Sequence, residues 1–148
     1  MPTHKYNALG SVQTLLTTDL DGLANNARSA ASSAFANGNV THRQLFGSFE
    51  LVVVFSSAPI AGKTVDLYLL PTLDGTNYAD GGASAEPSQS SYGGSFVVRN
   101  VATAQRLVLV GVPLPASDFK VQVINRAGQA FSASGHTLKL AAYSYESV

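Results

Sequence analysis

Residues 46–56 read FGSFELVVVFS, and the fold follows from how this run alternates. Phe49, Leu51, Val53 and Phe55 fall at every second position. Successive side chains of an extended chain point to opposite faces, so these residues share one face. A period of two excludes an amphipathic helix and predicts a β-strand. Val52 and Val54 lie on the second face, which predicts a central strand covered on both sides.

Working outward, the alternation returns in Val65, Leu67 and Leu69, in Phe119, Val121 and Val123, and in Leu138 and Leu140. Gly, Pro, Asn and Asp interrupt these runs, as turns do between the strands of a sandwich or barrel. Strands are predicted over 11–18, 46–56, 64–71, 105–112, 119–125 and 136–145, with another starting at Phe96. About seven or eight strands at spacings of about a dozen residues predict an all-β fold, a single antiparallel β-sandwich or jelly roll. The expected organisation is an extended N-terminal arm over 1–20, including a first strand, and a sandwich over 21–148.

Two stretches break the alternation. Residues 23–36 (LANNARSAASSAFA) combine alanine, which favours a helix, with Ser and Asn, which compete through local hydrogen bonds. Ala30, Ser32, Ala34 and Ala36 also suit a small-residue strand packed on a neighbour, and strand is the reading adopted. Residues 72–95 (TLDGTNYADGGASAEPSQSSYGGS) read as one long loop. In a compact domain such a length usually marks function or mobility.

The chain has 148 residues and no cysteine. Its length suits one domain that buries a core unaided. Disulfides, thiolate metal sites and cysteine nucleophiles are excluded. Nine basic and nine acidic residues cancel, and only 12% of residues are charged. So uncharged a surface has little long-range attraction for nucleic acid or anionic lipid. It also has little self-repulsion to keep copies apart, which suits life in an assembly. No stretch is apolar enough for long enough to span a bilayer, and the N-terminal MPTHKYN lacks the apolar core of a signal peptide. The expectations are no nucleic-acid partner, no membrane partner and synthesis in a cytoplasm without export by that route.

Motifs that carry chemistry are sparse. Gly62-Lys63-Thr64 ends like a phosphate-binding loop, but Ser57 stands where the first glycine is needed and a strand follows instead of a helix. It reads as a turn. Asp74, Asn77 and Asp80 could gather oxygen ligands for a hard cation. Their spacing does not match the helix-loop-helix calcium pattern, and Asp-Gly and Asn are ordinary turn residues, so no metal is expected. The same loop carries Tyr78 and Tyr92 and could instead meet a partner or a sugar ring. His4, His42 and His136 have no partner at ligand spacing. No GxSxG elbow marks a nucleophile, and no enzyme activity or cofactor is expected. Glu50 and Asp66 are expected to pair with Arg99, Arg106 or Lys120. Asn39-Val-Thr41 fits a glycosylation sequon that the missing signal peptide leaves idle.

Residues 15–27 (LLTTDLDGLANNA) resemble the N-terminal segment of small structural proteins of tailed bacteriophages and prophages. Residues 66–71 (DLYLLP) with 74–81 (DGTNYADG) resemble their central segment, and 105–109 (QRLVL), 111–115 (GVPLP) and 118–121 (DFKV) continue the likeness. The resemblance implies a virion component, and within that group a capsid cement protein made in the host cytoplasm. Such a protein would bind the major capsid protein across several subunits and would itself be a homotrimer. The arm would reach over a neighbour. Tyr6, Leu9, Phe46, Tyr78, Tyr92, Tyr143 and Tyr145 are the candidate anchors, because interface cores favour aromatic side chains. The alternatives are a tail, neck or fibre component, or a carbohydrate-binding sandwich with its site on residues 72–95.

Overall fold

The computed structural model describes residues 3–38 and 43–147. The Asn39-Val-Thr41 sequon and His42 lie outside the described residues. Among the described residues there are nine strands: β1 (His4–Tyr6), β2 (Gln13–Leu16), β3 (Phe46–Val53), β4 (Thr64–Pro71), β5 (Tyr92–Val97), β6 (Gln105–Pro113), β7 (Phe119–Arg126), β8 (Thr137–Tyr143) and β9 (Tyr145–Ser147). They form a four-stranded sheet in the order β2-β8-β3-β6, a three-stranded sheet in the order β5-β4-β7, and a β1-β9 ribbon, with every strand pair antiparallel. The result is the expected antiparallel β-sandwich. The strand count exceeds the expected range because β1 and β9 are too short to show a period.

The alternation puts Phe49, Leu51 and Val53 of β3, Val65 and Leu67 of β4, Phe119, Val121 and Val123 of β7, and Leu138 and Leu140 of β8 into one core, all essentially inaccessible. Phe55 follows β3 into the same core, edge-on to Phe131. The second faces differ between the sheets. On β3 the alternate positions Phe46, Ser48, Glu50 and Val52 are only half-buried, so β3 is central but open on its outer side. The doubly covered strands are β4 and β7, where Tyr68, Leu70 and Ile124 pack outward beneath Ala31 and Ala79.

Residues 23–36 form neither the expected strand nor a helix. They run along the outer edge of β7 with a three-residue repeat, the period of a polyproline-like chain. Asn26, Ser29, Ser32 and Phe35 donate their backbone N–H to the carbonyls of Asn125, Val123, Val121 and Phe119 at 2.6–3.0 Å. In return Ala27 and Phe35 carbonyls accept from Asn125 and Phe119. Val123 and Val121 donate instead to the hydroxyls of Ser29 (3.1 Å) and Ser32 (2.9 Å). Serine oxygens thus stand in for strand carbonyls, which is why small polar residues recur here.

The N-terminal segment is not a free arm. β1 pairs with β9, β2 pairs with β8, and Gly10 donates its N–H to Ala142 at 2.8 Å. Both ends of the chain are therefore tied to one side of the sandwich. The expected long loop over 72–95 also has internal order. Thr72 bridges Tyr78, a short 3-10 turn spans Gln89–Ser91, and β5 begins at Tyr92.

Candidate functional site

The ribbon of β1 and β9 sets Tyr6 opposite Tyr145, with the exposed Lys5–Glu146 ion pair (3.1 Å) beside them. The register of β3 and β8 sets Phe46 opposite Tyr143. These four rings close a cycle. Tyr6 stacks on Tyr145 (centroids 4.9 Å apart), Tyr145 meets Phe46 edge-on (5.4 Å), Phe46 stacks on Tyr143 (5.7 Å), and Tyr143 meets Tyr6 edge-on (5.6 Å). Such pairs contribute about 0.5–1.5 kcal/mol each beyond their burial, which steadies a ribbon too short to stand alone. The chain beside the cycle is pinned by Asn7, whose Oδ1 accepts the Ser144 N–H at 2.7 Å. The Tyr145 hydroxyl donates to Tyr6, and that bond, with partial burial, pushes its pKa above the ordinary phenol value.

The cluster is nonetheless open to solvent. Tyr6 is 62% exposed and Tyr145 47%. Leu9 and Leu45 are also exposed, and Val12, Val108 and Val110 line the outer face of the same four-stranded sheet. A shallow depression of about 300 Å³ lies among Val12, Ser48, Glu50, Val108 and Ala141. Glu50 is paired with Arg106 at 2.6 Å, as expected. The sheet face thus joins an aromatic end to exposed valines set around Glu50, Arg106 and Lys139.

Five of the seven expected anchors belong to this end: Tyr6, Phe46, Tyr143 and Tyr145 in the cycle, with Leu9 in the exposed chain between β1 and β2. Tyr92 opens β5 of the other sheet, and Tyr78 lies in the loop after β4. Tyr92 is edge-on to Tyr68 and its hydroxyl lies 2.6 Å from Ser95 Oγ. Ser95 in turn bonds Asp66, whose partner is Arg126 (3.1 Å) rather than the arginines and lysine expected. Tyr78 is half-buried, and the Lys120 ammonium sits 4.5 Å from its ring centre. The sequence reading missed Leu45, Val12, Val108 and Val110. Their signal is faint: Val108 and Val110 are apolar residues on the polar face of β6, and Val12 and Leu45 stand just before β2 and β3, beside a cluster that exists only after folding.

Two concavities lie at the Tyr78 end of the molecule. The larger, about 660 Å³, is lined by Pro71–Gly75, Pro115–Asp118, Gly38 and Arg43. Its carboxylates serve the chain itself. Asp118 accepts from the backbone of Asn37 (2.8 Å) and Gly38 (2.6 Å). Asp74 accepts from the Asn77 backbone (2.7 Å) and side chain (2.7 Å), the Thr76 backbone (2.8 Å) and Thr72 Oγ1 (3.1 Å), which together hold its carboxyl well below the usual range. Asp74 is thereby a loop staple. Among the described residues no three His, Asp or Glu side chains are grouped to hold a metal. The smaller trough, about 350 Å³, runs past Tyr78, Asp80, Gly81 and Lys120. Behind Gly81 the fully buried Gln122 donates to Ser29 O and Gly82 O, while its Oε1 has no partner among the described residues. His136 is also structural. Its Nδ1 accepts the Val54 N–H (3.3 Å), and its Nε2 lies 3.0 Å from Ser132 O, so that nitrogen carries the proton.

Comparison with solved structures finds one that shares this architecture at low identity and a second of weaker likeness. The CBM36-1 domain of a multidomain xylanase from the hindgut metagenome of Trinervitermes trinervoides is 12% identical, with a TM-score of 0.50 over 95% of this chain and 96% of that one. A carbohydrate-binding module CBM36 in complex with calcium and xylotriose is 14% identical, with a TM-score of 0.42 over 99% of each chain. The likeness is one of fold. No protein-family model and no curated protein matches the chain.

Proposed function

We propose that this chain is a non-enzymatic binding module that docks on a protein surface through the Tyr6–Phe46–Tyr143–Tyr145 end. The observation that carries the reading is the aromatic cycle itself. Its rings already stack on one another, so it offers a compact apolar patch rather than a single flat ring for a sugar. The adjoining valines extend that patch, and interface cores favour aromatic residues surrounded by apolar contacts. The resemblance of residues 15–27, 66–71, 74–81, 105–109, 111–115 and 118–121 to phage structural proteins suggests the partner: the shell of a capsid, with this chain as its cement. The mechanism is mass action, in which a ligand that binds only the assembled, expanded shell stabilises that state by its binding free energy.

Carbohydrate binding is the second reading. The trough beside Tyr78 favours it, because Asp80 and Lys120 line it and can meet sugar hydroxyls. Co-sedimentation with capsids assembled without this chain, set beside a glycan array, separates the two. The docking reading expects capsid retention that weakens roughly thirtyfold or more in Tyr6→Ser/Tyr145→Ser, the scale of an interface hot spot. Capsid retention unchanged by that variant overturns it. Glycan binding lost on Tyr78→Ala, without capsid retention, establishes the second reading.

A further inference from the structure

We propose that the free edge of β6 is a self-association site, where two copies of this chain pair antiparallel about a two-fold axis. β6 is the outermost strand of the four-stranded sheet, and among the described residues β3 is its only hydrogen-bonded strand neighbour. Among the described residues, none of 106–112 makes a backbone hydrogen bond beyond the β3 ladder. Unpaired edge groups are a template for another strand, and folded proteins usually blunt them with charge, proline, shortness or a cover. This chain does so elsewhere. The edge of β7 is covered along its length by residues 26–35, and β2 is only 4 residues long.

β6 lacks those defences over most of its 9 residues. Leu107, Val108, Leu109 and Val110 follow one another, and Val108 and Val110 are 54% and 75% exposed. The strand's single charge, Arg106, is already matched by Glu50 at 2.6 Å within the chain. Only near its end does a bulge intervene, at Gly111 (φ +70°), which confines a new ladder to about Gln105–Val110.

The occupant is a second copy because the edge is complementary to itself. With the two-fold axis at Val108, that residue faces Val108 of the second copy, Leu107 faces Leu109 of the second copy, and Arg106 faces Val110 of the second copy. No like charges meet, and inward leucines stay on the core side. With nine basic and nine acidic residues, two copies do not repel each other. A contact of this kind is isologous and closes at two copies, unlike the trimer that the phage resemblance implies.

Sedimentation velocity of the full chain over a concentration series tests this, with Val108→Lys and, as a control at the far side of the same sheet, Val12→Lys. Both side chains are exposed, and circular dichroism verifies that each variant folds. The expected result is a reversible dimer for wild type and Val12→Lys, and a dissociation constant at least tenfold higher for Val108→Lys. Amide hydrogen exchange should show concentration-dependent protection confined to about 105–110. A monomer at every concentration overturns the proposal. So does a dimer or trimer indifferent to Val108→Lys, or protection of these amides only when a different protein is added.

Discussion

Replacing Ser29 and Ser32 by alanine removes the two hydroxyls that accept the Val123 and Val121 N–H groups on the edge of β7. Both serines are buried, at 1% and 5% exposure, so water cannot take over the bonds. A buried N–H left without an acceptor costs about 1–3 kcal/mol. The carbonyls of Ala30 and Ser33 also lose a donor. The serines share one ladder and will not add fully, which puts the double variant at about 2–5 kcal/mol below wild type. At about 2–4 °C per kcal/mol for a chain near this length, Tm falls by about 4–20 °C. Urea unfolding should show a lower midpoint at unchanged m, because the surface exposed on unfolding stays the same. Ser33→Ala, on the exposed side of the segment, should stay within about 0.5 kcal/mol. A double variant equally close to wild type would refute the claim that hydroxyls replace strand carbonyls along this edge.

Three further outcomes are expected. Tyr145 titrates above the ordinary phenol range, chiefly because it donates a hydrogen bond to Tyr6. A pKa raised in the folded state means that this contact is fully present at neutral pH and is lost as pH rises through the raised value. Ultraviolet phenolate titration should show that midpoint falling in Tyr6→Phe, and an unchanged midpoint contradicts the assignment. The Asp74 carboxyl is depressed, first by the Asn77 backbone N–H, so its staple holds above the unfolded pKa and is lost only as pH falls through the folded one. Amide exchange at Thr76 and Asn77 should therefore stay slow, once corrected for intrinsic rates, down to about pH 4, and become fast at neutral pH in Asp74→Ala. Gly47→Ala would place a methyl 2.5 Å from Leu140 Cδ1 and 3.1 Å from Leu114 Cδ2. Chemical denaturation should show a loss of about 1–3 kcal/mol from overpacking.

The sandwich was legible because period-two runs such as 46–56 and 64–71 state which residues face the core. What that period cannot state is what covers the other face. Val52 and Val54 suggested a covered β3, yet the covered outer face belongs to β4 and β7, where Ala31 of the edge segment 23–36 and Ala79 of the 72–95 loop pack over it. The edge segment hid because its three-residue repeat matches neither strand nor helix. β1 and β9 hid because three residues carry no period, and their pairing joins the two ends of the chain. The aromatic anchors were visible as residue types. Their grouping was not, since the Tyr6–Tyr145 and Phe46–Tyr143 pairs depend on strand registers set by the whole sheet. Tyr78 and Tyr92 read the same way in sequence and fell in the β4–β5 loop and on β5, away from the cycle. The carboxylate of Asp74 was seen as a turn former or a ligand, and four hydrogen bonds from its own loop decide for the turn.

The most direct test of the docking claim is a cryo-electron microscopic reconstruction of virions or reconstituted capsids carrying this chain, refined until the aromatic end is visible. The account predicts the sandwich on the outside of the shell, with Tyr6, Phe46, Tyr143 and Tyr145 in contact with major capsid subunits. A chain whose aromatic cycle faces solvent, or one found only in the tail, neck or fibre, contradicts it.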